Sequence, residues 1–323
     1  MKKLDLFILE STFLKLTLII SFFVFATAFI PVLGAIFLIL TPFIFFIYGT
    51  VNGSIKTTAA FFIALLPLLI LHLLYNQYTP FIPILVMGLC GLLIARTTAR
   101  SKSIEKIITY PSLLILFAIC FFFIYSSFEQ SITPLEMVHK YVASMIDAAI
   151  KSFSQLPFSK EDIDFFKDNQ QIYTSTFTQI FPTIIVIVSI FIVWINFLIG
   201  KSILIKIGVL RPGLTMYASW HTPDHLIWFF IISGGLNFVP YEEINLVALN
   251  LFLSICFIYL LQGLAIISFA FQSKNAPVFF RFLFYFFIAV QQFLVIPIAA
   301  AGLFDIWVDF RKFFSKDDTT DIV

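Results

Sequence analysis

The chain has 323 residues, of which 60% are hydrophobic and only 12% charged, and its mean hydropathy is +1.02. Such usage excludes an ordinary water-soluble domain, and a net charge of +2 with no concentrated basic face excludes a nucleic-acid binder. Several apolar runs reach the roughly 20 residues with which a helix crosses about 30 Å of hydrocarbon, which excludes an outer-membrane barrel built of short alternating strands.

The expected fold is therefore an all-α, polytopic bundle. Apolar runs place spans at 12–30, 33–50, 57–75, 80–97, 108–127, 177–200, 223–239, 244–272 and 277–303. Lys2 and Lys3 before the first run imitate a signal peptide, but Asp5 and Glu10 dilute the basic stretch and another apolar run follows directly, so it is read as a span. Pro31 with Gly34, Asn52-Gly53 and the stretch from Asn76 to Pro80 separate the first four. This divides the chain into a five-span bundle (1–127), an external segment (128–176), a four-span bundle (177–311) and a polar tail (312–323).

Basic residues orient it. Arg96, Arg100, Lys102 and Lys106, then Lys201, Lys206 and Arg211, mark cytoplasmic loops, with the N-terminus on the same side. Nine spans leave Arg311, Lys312 and Lys316 outside, so either the tail is an exception or 223–239, with Gly234, Gly235 and Asn237, is re-entrant and eight spans remain. In the external segment, Leu135, Val138, Val142, Met145, Ala149 and Phe153 predict an amphipathic helix, and Ser159-Lys160-Glu161-Asp162 a capped second helix.

The polar groups are few. In "SWHTPDHLIWFFIISGG", residues 219–235, the order Thr222, Pro223, Asp224 predicts an N-cap, an N1 proline and a first-turn acid. That reading leaves a plain interfacial helix start. The alternative is a site in which Arg211, His221, Asp224 and His225 bind an anionic or protonatable group, or a cytoplasmic partner, histidine being the side chain that ordinarily titrates nearest neutrality. Proline between the histidines breaks the i, i+4 zinc pairing, and no metal is expected. Within the apolar runs His72, Asn196, Asn237, Gln262, Gln291 and Gln292 are neutral polar groups, suited to interhelical hydrogen bonds or to a ligand pocket. Pro42, Pro67, Pro182 and Pro297 free backbone carbonyls that a transporter can use, or that packing alone explains. Asp305, Asp309 and Arg311 predict an interfacial helix with local ion pairing.

Cys90, Cys120 and Cys256 lie singly in apolar runs and read as small hydrophobes. No Gly-rich phosphate loop, GxSxG or HExxH is present, so neither a catalytic motif nor a cofactor is expected. Three readings remain: a protein that binds or transports a small molecule, a scaffold docking other proteins, and a membrane enzyme whose acids and histidines would come from 211–225 and 305–311.

The run "AFIPVLGAIFLILTPFIFFIYGTVNGSIKTTAAFF" resembles the N-terminal half of the substrate-capture subunits of energy-coupling-factor vitamin transporters. The later stretches "WHTP", "LQGLAIISF" and "AGLFDIWVDFRK" resemble the YybS-like, or DUF2232, family of bacterial multi-spanning proteins. The resemblance implies a bacterial inner-membrane protein with a capture-subunit-like bundle extended by further spans, and no established activity. Capture subunits dock their energising partner through small residues four apart on the first helix, where residues 12–30 offer Ala26 and Ala28.

Overall fold

A computed structural model describes residues 13–30, 33–75, 80–101, 103–155, 159–210 and 217–314. Every regular element among the described residues is helical. The helices are α1 (Phe13–Phe29), α2 (Leu33–Val51), α3 (Ser54–Tyr75), α4 (Phe81–Arg100), α5 (Ile104–Gln130), α6 (Pro134–Phe153), α7 (Lys160–Asp168), α8 (Gln170–Lys206), α9 (Leu226–Leu236), α10 (Glu242–Ser273), α11 (Val278–Val290) and α12 (Val295–Val308), with short 3-10 turns between and after the last of them.

All nine apolar segments are helical, but they are not nine uninterrupted spans. Six described helices, α2 to α5, α8 and α10, are long and apolar enough to cross a membrane. A seventh exists if α11 and α12 count as one, and that pair is bent by 101°. The alternative that takes 223–239 out of the spans agrees with α9, whose 11 residues fall short of the roughly 20 a span requires, and a further break, not read from the sequence, falls at Gln291.

The chain divides into two compact units, Met1–Met137 with Val188–Thr215, and Val138–Ile187 with Met216–Val323. In the first, α2 packs most extensively on α4 and α1 on α3. Leu16, Ile20, Phe45, Phe61, Leu68 and Ile84 form the buried core, with Phe45 and Phe61 edge to face at 4.4 Å. A Cβ on Gly91 would lie 2.3 Å from the Pro42 carbonyl oxygen, so α4 touches the backbone of α2 at its proline. In the second unit α10 packs on both α9 and α12.

Each unit contains the same device beside a proline. The Phe43 amide, which in an unbroken helix would donate to Ile39, donates to Asn196 Oδ1 at 2.9 Å. Asn196 Nδ2 donates to the abandoned Ile39 carbonyl at 2.8 Å and to Ile192 at 2.7 Å. In the second unit Thr183 N donates to Asn250 Oδ1 at 2.9 Å, while Asn250 Nδ2 donates to Gln179 and Leu246, both at 2.8 Å. Pro42 and Pro182 disrupt their helices, and an asparagine from a packed helix bridges the opened turn. Interhelical bonding therefore accounts for Asn196.

The long polar segment, 128–176, carries two helices of its own, α6 and α7. Ser159 caps α7, its hydroxyl accepting from the Asp162 amide at 3.1 Å. A fuller capping box, not read from the sequence, starts α6: the Thr133 amide donates to Glu136 at 2.8 Å and the Glu136 amide to the Thr133 hydroxyl at 3.2 Å. Of the expected apolar stripe Val142 is buried, whereas Leu135 and Met145 are exposed, and Met137 takes the second buried place.

A buried ion pair as the candidate functional site

In the second unit a close helix contact brings polar side chains together. A Cβ on Gly263 of α10 would meet the Ile298 oxygen at 2.0 Å, and one on Gly302 of α12 would meet the Tyr259 oxygen at 2.0 Å. Backbones this close are possible only between glycines. Gln262, next to Gly263, then reaches Asp305, one turn after Gly302, and its Nε2 donates to Asp305 Oδ2 at 3.0 Å.

The end of α12 completes the acid's surroundings. Asp309 adopts the left-handed conformation (φ 48°, ψ 66°), open to aspartate more readily than to most residues, and turns the chain back. The Phe310 amide donates to Asp305 Oδ1 at 2.9 Å, and Arg311 Nη1 donates to Oδ2 at 2.6 Å. The side chains of Asp305 and Arg311 are 0% and 8% exposed.

The segment before α9 closes the site. The Tyr217 hydroxyl donates to the Leu261 carbonyl, its ring stacks on Trp220 at 6.3 Å, and burial pushes its hydroxyl pKa up. Carbonyls of Ala218 and Trp220 accept from Arg311 Nε at 3.0 Å and Nη2 at 2.7 Å. The Thr222 hydroxyl and amide both donate to Gln262 Oε1, the amide at 3.1 Å. His221 Nε2 lies 2.7 Å from Arg311 Nη1 and 3.9 Å from Asp305 Oδ2, its side chain 53% exposed. A guanidinium only donates, so Nε2 accepts and the imidazole is neutral with its hydrogen on Nδ1. The cluster thus carries one negative and one positive charge.

The structure brings together two of the seven candidate residues, His221 and Gln262. Asp224 and His225 are exposed in the turn leading to α9. Gln291 and Gln292 are exposed at the bend, so neither is buried in the interhelical contact or pocket for which the sequence suited them. Arg211 lies outside the described residues. The expected Thr222 cap is corrected: α9 begins at Leu226 behind His225 with no side-chain cap, through bonds from Leu226 to Pro223 and Trp228 to His225, and the Thr222 hydroxyl is turned toward Gln262 Oε1 instead of toward the first amides of the helix. Asp309 pairs with Lys312 at 3.1 Å on the surface, while Asp305 turns inward. Asp305 and Arg311 were legible as a local pair, but their partners 43 to 93 positions away were not.

A family model described as "Predicted membrane protein (DUF2232)" matches residues 18–306. The chain belongs to the DUF2232 family. A curated relative of this DUF2232 protein, "Uncharacterized protein YybS" from Bacillus subtilis (strain 168), is 22% identical over 276 residues, covering 84% of each chain. No solved structure matches. The family match agrees with the apolar helices in making this an integral, multi-pass membrane protein.

Proposed function

We propose that this DUF2232 protein binds a small molecule, and moves it across a bacterial inner membrane, with the Asp305–Arg311 pair as the polar anchor of its site. The observation that carries the reading is a fully buried ion pair beside a histidine that solvent can reach. A buried pair is often no more stabilising than hydrophobic side chains of similar volume, and ionised residues among membrane helices mark sites of function. In this reading the protein is not an enzyme, and the likeness of its N-terminal half to capture subunits belongs to the same proposal.

A second reading, a scaffold that docks other membrane proteins, is favoured by α11, which has no buried residue and exposes Phe279, Phe280, Phe282 and Phe286. The Asn196 and Asn250 amides, spent on helix pairing, also suit it. Native mass spectrometry of the protein released from micelles separates the two. A retained small molecule is expected; a co-purifying subunit without any ligand would favour the scaffold.

A further inference from the structure

We propose that Arg311 and His221 form a subsite for a small carboxylate monoanion, and that the anion is bound together with one proton taken up by His221. The inference rests on the binding reading above and names the ligand's chemistry. It starts from the direction of one hydrogen bond. Arg311 Nη1 donates to His221 Nε2 at 2.7 Å, so a proton arriving on Nε2 turns the acceptor into a donor and breaks that bond. Two N–H groups then face one another and need an acceptor.

Asp305 does not supply it. Its Oδ2 already accepts from Gln262 and Arg311 and lies 3.9 Å from Nε2, beyond hydrogen-bond reach, and its Oδ1 accepts from the Phe310 amide. A carboxylate entering from the exposed side of His221 offers one oxygen to each donor.

Charge balance gives the stoichiometry. The resting cluster sums to zero, with Asp305 negative, Arg311 positive and His221 neutral. An anion alone would leave a net negative charge against a buried carboxylate, which a low-dielectric site disfavours; one proton on His221 restores neutrality. A dianion would need a second proton. Among the described residues near His221, Thr222 and Gln262 are neutral, Tyr217 keeps its proton because burial favours the neutral hydroxyl, Asp309 is paired with Lys312, and Asp224 and His225 are exposed.

The test is the titration of imidazole-labelled protein in micelles, followed by NMR with and without sodium acetate at ionic strength matched by a bulky sulfonate. The chain has four histidines, and loss of one signal in His221→Gln assigns the resonance. Should that variant fail to fold, a paramagnetic label at Asp224 identifies the His221 signal by broadening. Acetate is expected to raise the His221 midpoint, and by linkage acetate affinity should fall about tenfold per pH unit above it. A midpoint unmoved by acetate overturns the proposal, and chloride raising it as far as acetate overturns the carboxylate assignment. A ligand retained in native mass spectrometry alongside an unmoved midpoint would sink the proton-coupled site while leaving the binding reading in place.

Discussion

Replacing Arg311 by methionine tests whether the Asp305 cluster is held by its charge pair or by helix packing. The substitution keeps a long apolar stem and removes the donor that lies 2.6 Å from Asp305, together with those on the Ala218 and Trp220 carbonyls. Asp305 retains the Gln262 amide and the Phe310 N–H, two neutral donors for a fully buried carboxylate. Removing one partner of a buried pair costs about 3–5 kcal/mol, and the orphaned carbonyls push the loss toward the upper end of that range. Adding Asp305→Asn removes the stranded charge and keeps an oxygen for the Phe310 amide, but sets its amino group against Gln262 Nε2, so the double variant should recover about 1–2 kcal/mol of the loss. Arg311→Lys keeps the charge but cannot span two carbonyls and a carboxylate at once, and should fall between wild type and Arg311→Met. The assay is unfolding in mixed micelles of rising SDS fraction, followed by circular dichroism. A double variant as unstable as the sum of the two single changes would refute the reasoning, because it would mean the charges are not coupled.

Gly302→Ala should cost about 1–3 kcal/mol or more in the same assay, since the new methyl meets the Tyr259 oxygen and the Gly263 nitrogen at 2.7 Å, both backbone atoms that cannot turn aside; an unchanged midpoint would contradict the close contact. Asn250→Leu should cost about 0.5–2 kcal/mol, the usual scale of a membrane hydrogen bond, and raise amide exchange at Thr183; unchanged exchange would show that the turn recloses unaided. The Thr133 amide and hydroxyl hold the Glu136 carboxyl below its usual pKa, so their contribution to the start of α6 is complete above the ordinary glutamate value and is lost as pH falls through the lowered one. Exchange of the Glu136 amide should therefore rise in acid beyond the intrinsic pH trend, and Glu136→Gln should remove that excess. Cysteines placed at Ser103 and Gln155 should be labelled from opposite sides of the membrane; labelling from one side would break the positive-inside map.

Much of the fold was legible because membrane helices announce themselves by apolar length, and α2 to α5, α8 and α10 start and end near the expected positions. Length could not reveal the 101° bend at Gln291, since a run of apolar residues is equally apolar on both sides of a break. The Ser159 cap was readable as a local pattern, and so was Thr133-Pro134-Leu135-Glu136, had it been weighed. Thr222 misled because the sequence around it fits a cap, while its hydroxyl is oriented by a buried partner 40 residues away that no local pattern reveals. For the site, residue types singled out 211–225 and 305–311, and described residues of both, from His221 to Arg311, meet in the buried cluster. What joined them was a glycine contact between α10 and α12, a relation of three-dimensional packing that no spacing encodes.

The paired prolines and asparagines also bear on how the chain is made. Phe43 and its clamp at Asn196 are 153 residues apart, whereas Thr183 and Asn250 are separated by 67. At roughly 5–20 residues per second, a ribosome leaves the opened turn of α2 waiting roughly 8–30 s for its asparagine, while α3, α4 and α5 are delivered to the membrane. The earliest helices must therefore persist with an unclosed backbone gap until the first unit is completed by a late arrival. A chain that stalls before residue 196 carries that gap permanently, a mark by which membrane quality control could tell an unfinished copy from a finished one.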